Sequence, residues 1–225
     1  MSVRNTCHLA CKTCHTASVA LSAPADGHND LVPVLVDHAR TRDQIAELAA
    51  GIVAREGLHS LTMRRLATEA GTSRAIVSTY FTGMRDLVLA TFQWVSARQV
   101  QRIESAQASG SGLEGCVEAL LPLDAERLAD WRVTISFLGY AVADPELAAI
   151  ERSRLDGAVG RFESLLLDRD GLTRSTAATR KEAERIVSCL LGVAIDYSFD
   201  PSSQAQPKAR RRMIERVLAG NPLDQ

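Results

Sequence analysis

Arg74, Ala75, Ile76, Ser78 and Thr79 place one guanidinium, two small or branched apolar groups and two hydroxyls within six residues. That mixture suits the edges of DNA bases. Arg can bond a guanine through two parallel N–H donors, Ala and Ile can touch a thymine methyl, and Ser or Thr can reach several bases. Catalysis has less to work with. The five His stand at 8, 15, 28, 38 and 59 and none lies in the long C-terminal part, so a Ser–His–acid relay finds no support. The chain is expected not to be an enzyme and to need no cofactor.

A second cluster stands at the N-terminus, Cys7-His8-Leu9-Ala10-Cys11-Lys12-Thr13-Cys14-His15. Cys11-x-x-Cys14-His15 matches the c-type haem attachment pattern, and Cys7, Cys11 and Cys14 have the spacing of an iron–sulfur loop. Haem attachment normally requires export, and residues 7–23 lack the apolar run of a signal peptide. The alternative function this segment suggests is a metal- or haem-linked redox sensor. The plainer reading is a leader without metal, because residues 1–39 have no helical period and carry Pro24, Gly27, Asn29 and Pro33. A disordered extension is therefore expected over 1–39.

The elements that must position the Arg74 cluster can be read from caps and periodicity. Thr41 with Gln44 forms a capping box for a first helix, whose Ile45, Leu48, Ala49, Ile52 and Val53 recur at helical spacing until Gly57. Thr62 caps a second helix, Ser73 a third of about seven residues and Thr82 a fourth. Ala67 is small where two helices cross, Gly71 marks the turn, and Val77 is the apolar residue that docks one helix on the other. This layout is a helix-turn-helix, whose second helix enters the major groove. Residues 40–85 carry seven Arg against four acids, a local +3 on a chain of net charge −1. A basic module on a near-neutral body fits operator binding better than indiscriminate coating of nucleic acid.

Leu61-Thr62-Met63-Arg64-Arg65-Leu66-Ala67, then Ala70-Gly71-Thr72-Ser73 and Tyr80-Phe81, resemble the TetR family of bacterial transcriptional regulators. The resemblance implies that Arg64 reaches a base or phosphate at the operator's edge, and that Thr62, Tyr80 and Thr82 hold the phosphate backbone. Ser78 stands where most members have Tyr, and Met84 where they have Lys; Arg85 is the neighbour suited to replace the lost phosphate contact. Arg40 and Arg42 are expected to add charge from an arm ahead of the first helix. Ser78 before Thr79-Tyr80-Phe81, with Ala129-Asp130-Trp131-Arg132-Val133 and Asp144-Pro145-Glu146-Leu147, is similar to the BetI-like subgroup that responds to choline. The implied function is a homodimeric repressor, released from a palindromic double-stranded DNA operator by a small-molecule effector.

The rest of the 225 residues reads as an all-α body over 86–225, following a DNA-binding segment over 40–85, with about nine helices in all. Hydrophobic residues make up 46% and aromatics only 4%, which favours helices packed with Ala, Leu and Val. Helices are expected over 83–108, 113–121, 124–142, 145–169, 176–199 and 207–219, the one from 124 burying Leu128, Trp131, Ile135, Leu138 and Val142. Trp94, Trp131, Phe137 and Tyr140 are the expected effector pocket, with Asp196 to balance a cation. Ile186, Leu190, Val193 and Tyr197, joined by Met213 and Val217, are the expected dimer interface. No run approaches the ~18 apolar residues of a membrane helix. With an odd number of Cys and no signal peptide, a cytoplasmic location and no membrane partner are expected.

Overall fold

Side-chain caps start most of the helices in the computed structural model, which describes residues 38–200 and 208–219. Nine α-helices are found among them and no strand: α1 (His38–Glu56), α2 (Met63–Glu69), α3 (Arg74–Tyr80), α4 (Met84–Ala108), α5 (Gly112–Leu120), α6 (Ala125–Ala141), α7 (Pro145–Asp170), α8 (Ala177–Phe199) and α9 (Ala209–Leu218). A 3-10 turn at Leu58–Ser60 joins α1 to α2. Thr62, Ser73, Asp124, Asp144 and Thr176 each accept a backbone N–H at the start of α2, α3, α6, α7 and α8. Each such cap satisfies a donor that the helix itself cannot. Pro145 follows the Asp144 cap at the first helical position, where its missing N–H is no loss.

The tight turn between α2 and α3 depends on Gly71. Its φ of 62° is left-handed, which lets Thr72 N–H reach the Ala67 carbonyl at 2.9 Å and Gly71 N–H reach Thr68 at 3.2 Å. Those two bonds close α2 and turn the chain directly into the Ser73 cap. Ala67 and Val77 are buried at the crossing.

Two apolar cores run through the molecule. One joins α1, α2 and α3 to the first half of α4 and to α6, with Ile45, Ile52, Leu66, Val77, Phe81, Phe92 and Phe137 among its members. Phe92 of α4 and Phe137 of α6 stack at 3.8 Å, only 3° from parallel. The other joins the end of α4 to α5, α7, α8 and α9 around Cys116, Phe162, Ile186, Leu190 and Met213. Packing is thus continuous across residue 85, and α4 belongs to both cores.

Several expectations need correction. α1 starts at His38, not Thr41: the His38 ring lies 5.4 Å from that of Tyr80, and this contact supports an earlier turn, leaving Thr41 buried inside the helix. Residues 38 and 39 are therefore helical, and Arg42 sits within α1 and not on an arm; the remainder of the expected extension, with its Cys7–His15 cluster, lies outside the described residues. Gly83 occupies the cap position of α4 in place of Thr82, because Asp86 reaches back to accept Thr82 N–H at 2.9 Å. On α6 the buried residues are Leu128, Asp130, Trp131, Val133, Thr134, Phe137 and Ala141, while Val142 is 83% exposed. Asp130 and Thr134 turn the helix, since their polar atoms find partners inside. Among the described residues no helix is long and apolar enough to cross a membrane.

Candidate nucleic-acid interface and effector cavity

Burying Val77 fixes which way α3 faces. With that side chain in the core, Arg74, Ala75, Ile76, Ser78 and Thr79 are all exposed, and Ile76 is 43% exposed despite being large and apolar. Arg64, Thr62 and Thr82 are exposed as well, while Tyr80 is half-buried. Two hydroxyls are already engaged: Ser73 Oγ accepts Ile76 N–H at 3.3 Å, and Thr79 Oγ1 donates to the Ile76 carbonyl at 2.7 Å.

Charge pairing sorts the arginines. Arg42 meets Asp86 at 2.5 Å, Arg55 meets Glu69 at 2.9 Å, Arg65 meets Glu56 at 2.8 Å, and Arg85 meets Asp144 at 2.9 Å and Glu146 at 2.7 Å. Arg64 and Arg74 have no ion-pair partner among the described residues. They are thus the two guanidiniums of α2 and α3 whose charge faces solvent without a carboxylate. Arg85, expected to replace a lost phosphate contact, is instead held by the start of α7.

Two charge clusters tie this face to the body. Arg42 lies 4.4 Å over the Phe81 ring, donates to the Tyr80 carbonyl and pairs with Asp86, while Asp86 also takes Thr82 N–H. The Arg42 guanidinium and the Thr82 N–H hold the Asp86 carboxyl below its ordinary value. Arg85 and the Leu147 N–H likewise lower Asp144, to about 2. A carboxyl lowered by folding adds stability above its ordinary pKa and loses it as pH falls through the folded value. For Arg85→Ala, a carbon NMR titration should therefore show the Asp144 midpoint displaced upward. The melting-temperature difference from the parent should be present at pH 6 and vanish between about pH 4 and about 2. A difference that persists below pH 2 would contradict this origin.

About three turns further along α4 lies a cavity of about 60 Å³ between α4, α5, α6, α7 and α8. Ser96, Gln99, Val100 and Ile103 line it from α4, Trp131 from α6, Arg154, Arg161 and Phe162 from α7, and Leu190 and Leu191 from α8. Ser96 Oγ is buried and has no hydrogen-bond partner among the described residues. The Trp131 indole donates to the Leu120 carbonyl at 2.6 Å.

Of the expected pocket residues only Trp131 reaches this cavity. Phe137 belongs to the other core, against Phe92, and Tyr140 is 40% exposed. Trp94 lies under the Arg98 guanidinium at 4.7 Å, and Asp196 pairs with Arg216 at 2.7 Å on the outside. Sequence reasoning missed Ser96, Gln99, Arg154 and Arg161; two polar residues in the buried register of α4, three apart, were the available signal. It also missed Asp130, which Arg98 and Arg102 flank from α4. Burial pushes the Asp130 carboxyl up in spite of both cations.

The expected dimer residues need the same kind of correction. Ile186, Leu190, Val193, Met213 and Val217 are each at most 3% exposed within the single chain, so they have no area left to offer a partner. Tyr197 is half-buried.

Residues 45–91 match the model for bacterial regulatory proteins of the tetR family, and residues 111–221 match that for the BetI-type transcriptional repressor, C-terminal. The chain belongs to the TetR family. It is accordingly a DNA-binding transcriptional regulator and not an enzyme. As a TetR-family member it is 25% identical over 192 residues to the HTH-type transcriptional regulator PksA of Bacillus subtilis (strain 168), covering 83% of this chain and 92% of that one. A transcriptional regulator from Rhodococcus sp. Rha1 has the same fold, with a TM-score of 0.68, 20% identity, and 79% and 94% of the two chains covered. So does a regulator from Saccharomonospora viridis in complex with choline, with a TM-score of 0.67, 19% identity, and 81% and 97% covered.

Proposed function

We propose that this regulator is a homodimeric repressor, released from a palindromic operator when a small molecule enters the cavity beside Ser96. The observation that carries the reading is the continuity of α4. Its first turn is tied through Asp86 to Arg42 and Thr82 beside α3, and three turns on it lines the cavity with Ser96, Gln99, Val100 and Ile103. A shift of α4 on ligand entry is transmitted to the recognition helix as a rigid displacement. An effector acts by its differential affinity for the two positions.

The cavity's size supports such a shift. An engineered cavity of ~150 Å³ admits benzene, and this one is smaller, at about 60 Å³. A drug-sized effector must therefore part α4 from α7 and α8. On the DNA side, Arg64, Arg74, Ala75, Ile76, Ser78 and Thr79 read or contact the operator, with Thr62, Ser73, Tyr80 and Thr82 set to meet phosphates. Two-fold symmetry puts the two α3 helices about 34–36 Å apart, one DNA turn.

For the dimer, the outer face of α8 replaces the buried stripe. Ser188, Gly192, Ile195 and Phe199 fall on one side of it, and Phe199 is 83% exposed. A side chain at Gly192 would meet nothing within 4 Å in the monomer, so a second helix has room to approach closely there. A second copy of the same face is the natural occupant, because one two-fold axis then serves both α8 and the palindrome. The repressor reading is tested by deleting the gene. Transcripts adjoining the bound DNA sites should rise several-fold, whereas a fall would mark an activator.

A further inference from the structure

We infer that the effector is an amphipathic anion, an apolar body bearing one carboxylate, with Arg161 at the cavity mouth as its charge partner. This rests on the reading of the α4–α8 cavity as the effector site. None of the residues that line the cavity is acidic, while two are arginines. Arg154 and Arg161 lie two turns apart on α7, about 10 Å along its axis, and they are not equivalent. Arg154 is neutralised by Glu151, which it grips through two bonds of 2.8 and 2.6 Å. Arg161 is exposed and has no ion-pair partner among the described residues. The cavity therefore has one uncompensated positive charge, at its rim.

Three body acids are committed elsewhere. Asp130 is flanked by Arg98 and Arg102, Glu151 is held by Arg154, and Asp196 pairs with Arg216 outside the cavity. A quaternary ammonium entering here would leave water for walls that offer two guanidiniums and no carboxylate, which is unfavourable. A carboxylate at the mouth instead meets a fork of N–H donors that matches its two oxygens. Ile103, Phe162 and Leu190 take up the apolar body, and the unpartnered Ser96 hydroxyl gives the ligand a polar contact on α4 itself. That last contact links the ligand to the helix that carries the motion.

The test uses the full chain and three probes of equal length: octanoate, octanol and octyltrimethylammonium. Trp131 lines the cavity and Trp94 does not, so Trp94→Phe leaves one indole as reporter, and calorimetry on the parent guards against any effect of that change. Octanoate should bind tightest of the three. Arg161→Gln, at an exposed and unpaired position, should weaken octanoate at least about tenfold while leaving octanol within about twofold. Octyltrimethylammonium binding as tightly as octanoate, or octanoate unaffected by Arg161→Gln, would overturn the anionic class and leave the cavity as effector site. If none of the three saturates, the cavity reading itself falls and takes this inference with it.

Discussion

Leu190→Arg is expected to leave no folded protein, while Ile195→Arg, five residues on, yields folded monomers that do not bind DNA. Leu190 is 3% exposed between α8, α7 and the cavity. A guanidinium there has no carboxylate to meet, and burying an unpaired charge costs several kcal/mol, a large part of the ~5–15 kcal/mol that holds a domain folded. Ile195 is only half-buried, on the proposed dimer face, so Arg at that position reaches water in the monomer. Across a two-fold axis it brings two like charges together and removes apolar area from both copies. Circular dichroism and light scattering at micromolar concentration separate the two outcomes. A folded Leu190→Arg monomer would show that the stripe had been free for a partner after all. A dimeric Ile195→Arg would place the interface elsewhere.

That pair of residues also shows where the sequence could be read and where it could not. The helix-turn-helix was legible because its signals are local: Gly71 at a left-handed turn, Thr62 and Ser73 as caps, Val77 as the single buried residue of α3. Asp144-Pro145 was legible for the same reason, whereas the Thr176 cap was not singled out. Burial on longer helices was not, since α8 is apolar on more than one side, and periodicity cannot tell a stripe facing its own chain from one facing a second. Ile186, Leu190 and Val193 went to the subunit's core, leaving Ser188, Gly192 and Ile195 outward. The aromatics misled similarly. Phe137 stacks on Phe92 in one core while Trp131 borders a cavity in the other, and no spacing rule assigns side chains to one of two cores. Ion pairs distant in sequence were equally invisible. Arg85 with Asp144 and Arg42 with Asp86 withdrew two cations from the expected DNA face and made them ties to the body.

Arg64 and Arg74 remain the positive charges of α2 and α3 without partners, and their loss should abolish operator binding without loss of fold. Both side chains are exposed, so Ala at either position opens no cavity. A base-reading Arg contributes about 1–3 kcal/mol. A two-fold dimer presents each side chain twice, so each single variant loses two contacts, and binding should weaken by roughly 30-fold or more. The double variant should also show a shallower dependence of affinity on salt, since fewer counterions are released. An unchanged melting temperature would separate this from unfolding.

Sequencing the genomic DNA that the purified parent protein retains, beside that retained by Arg64→Ala/Arg74→Ala, decides whether α2 and α3 read a two-fold operator. The parent should enrich a small set of fragments sharing an inverted repeat, with half-site centres about one helical turn apart, and the double variant should enrich none. Equal enrichment by both proteins, or a retained set without two-fold symmetry, would contradict that reading.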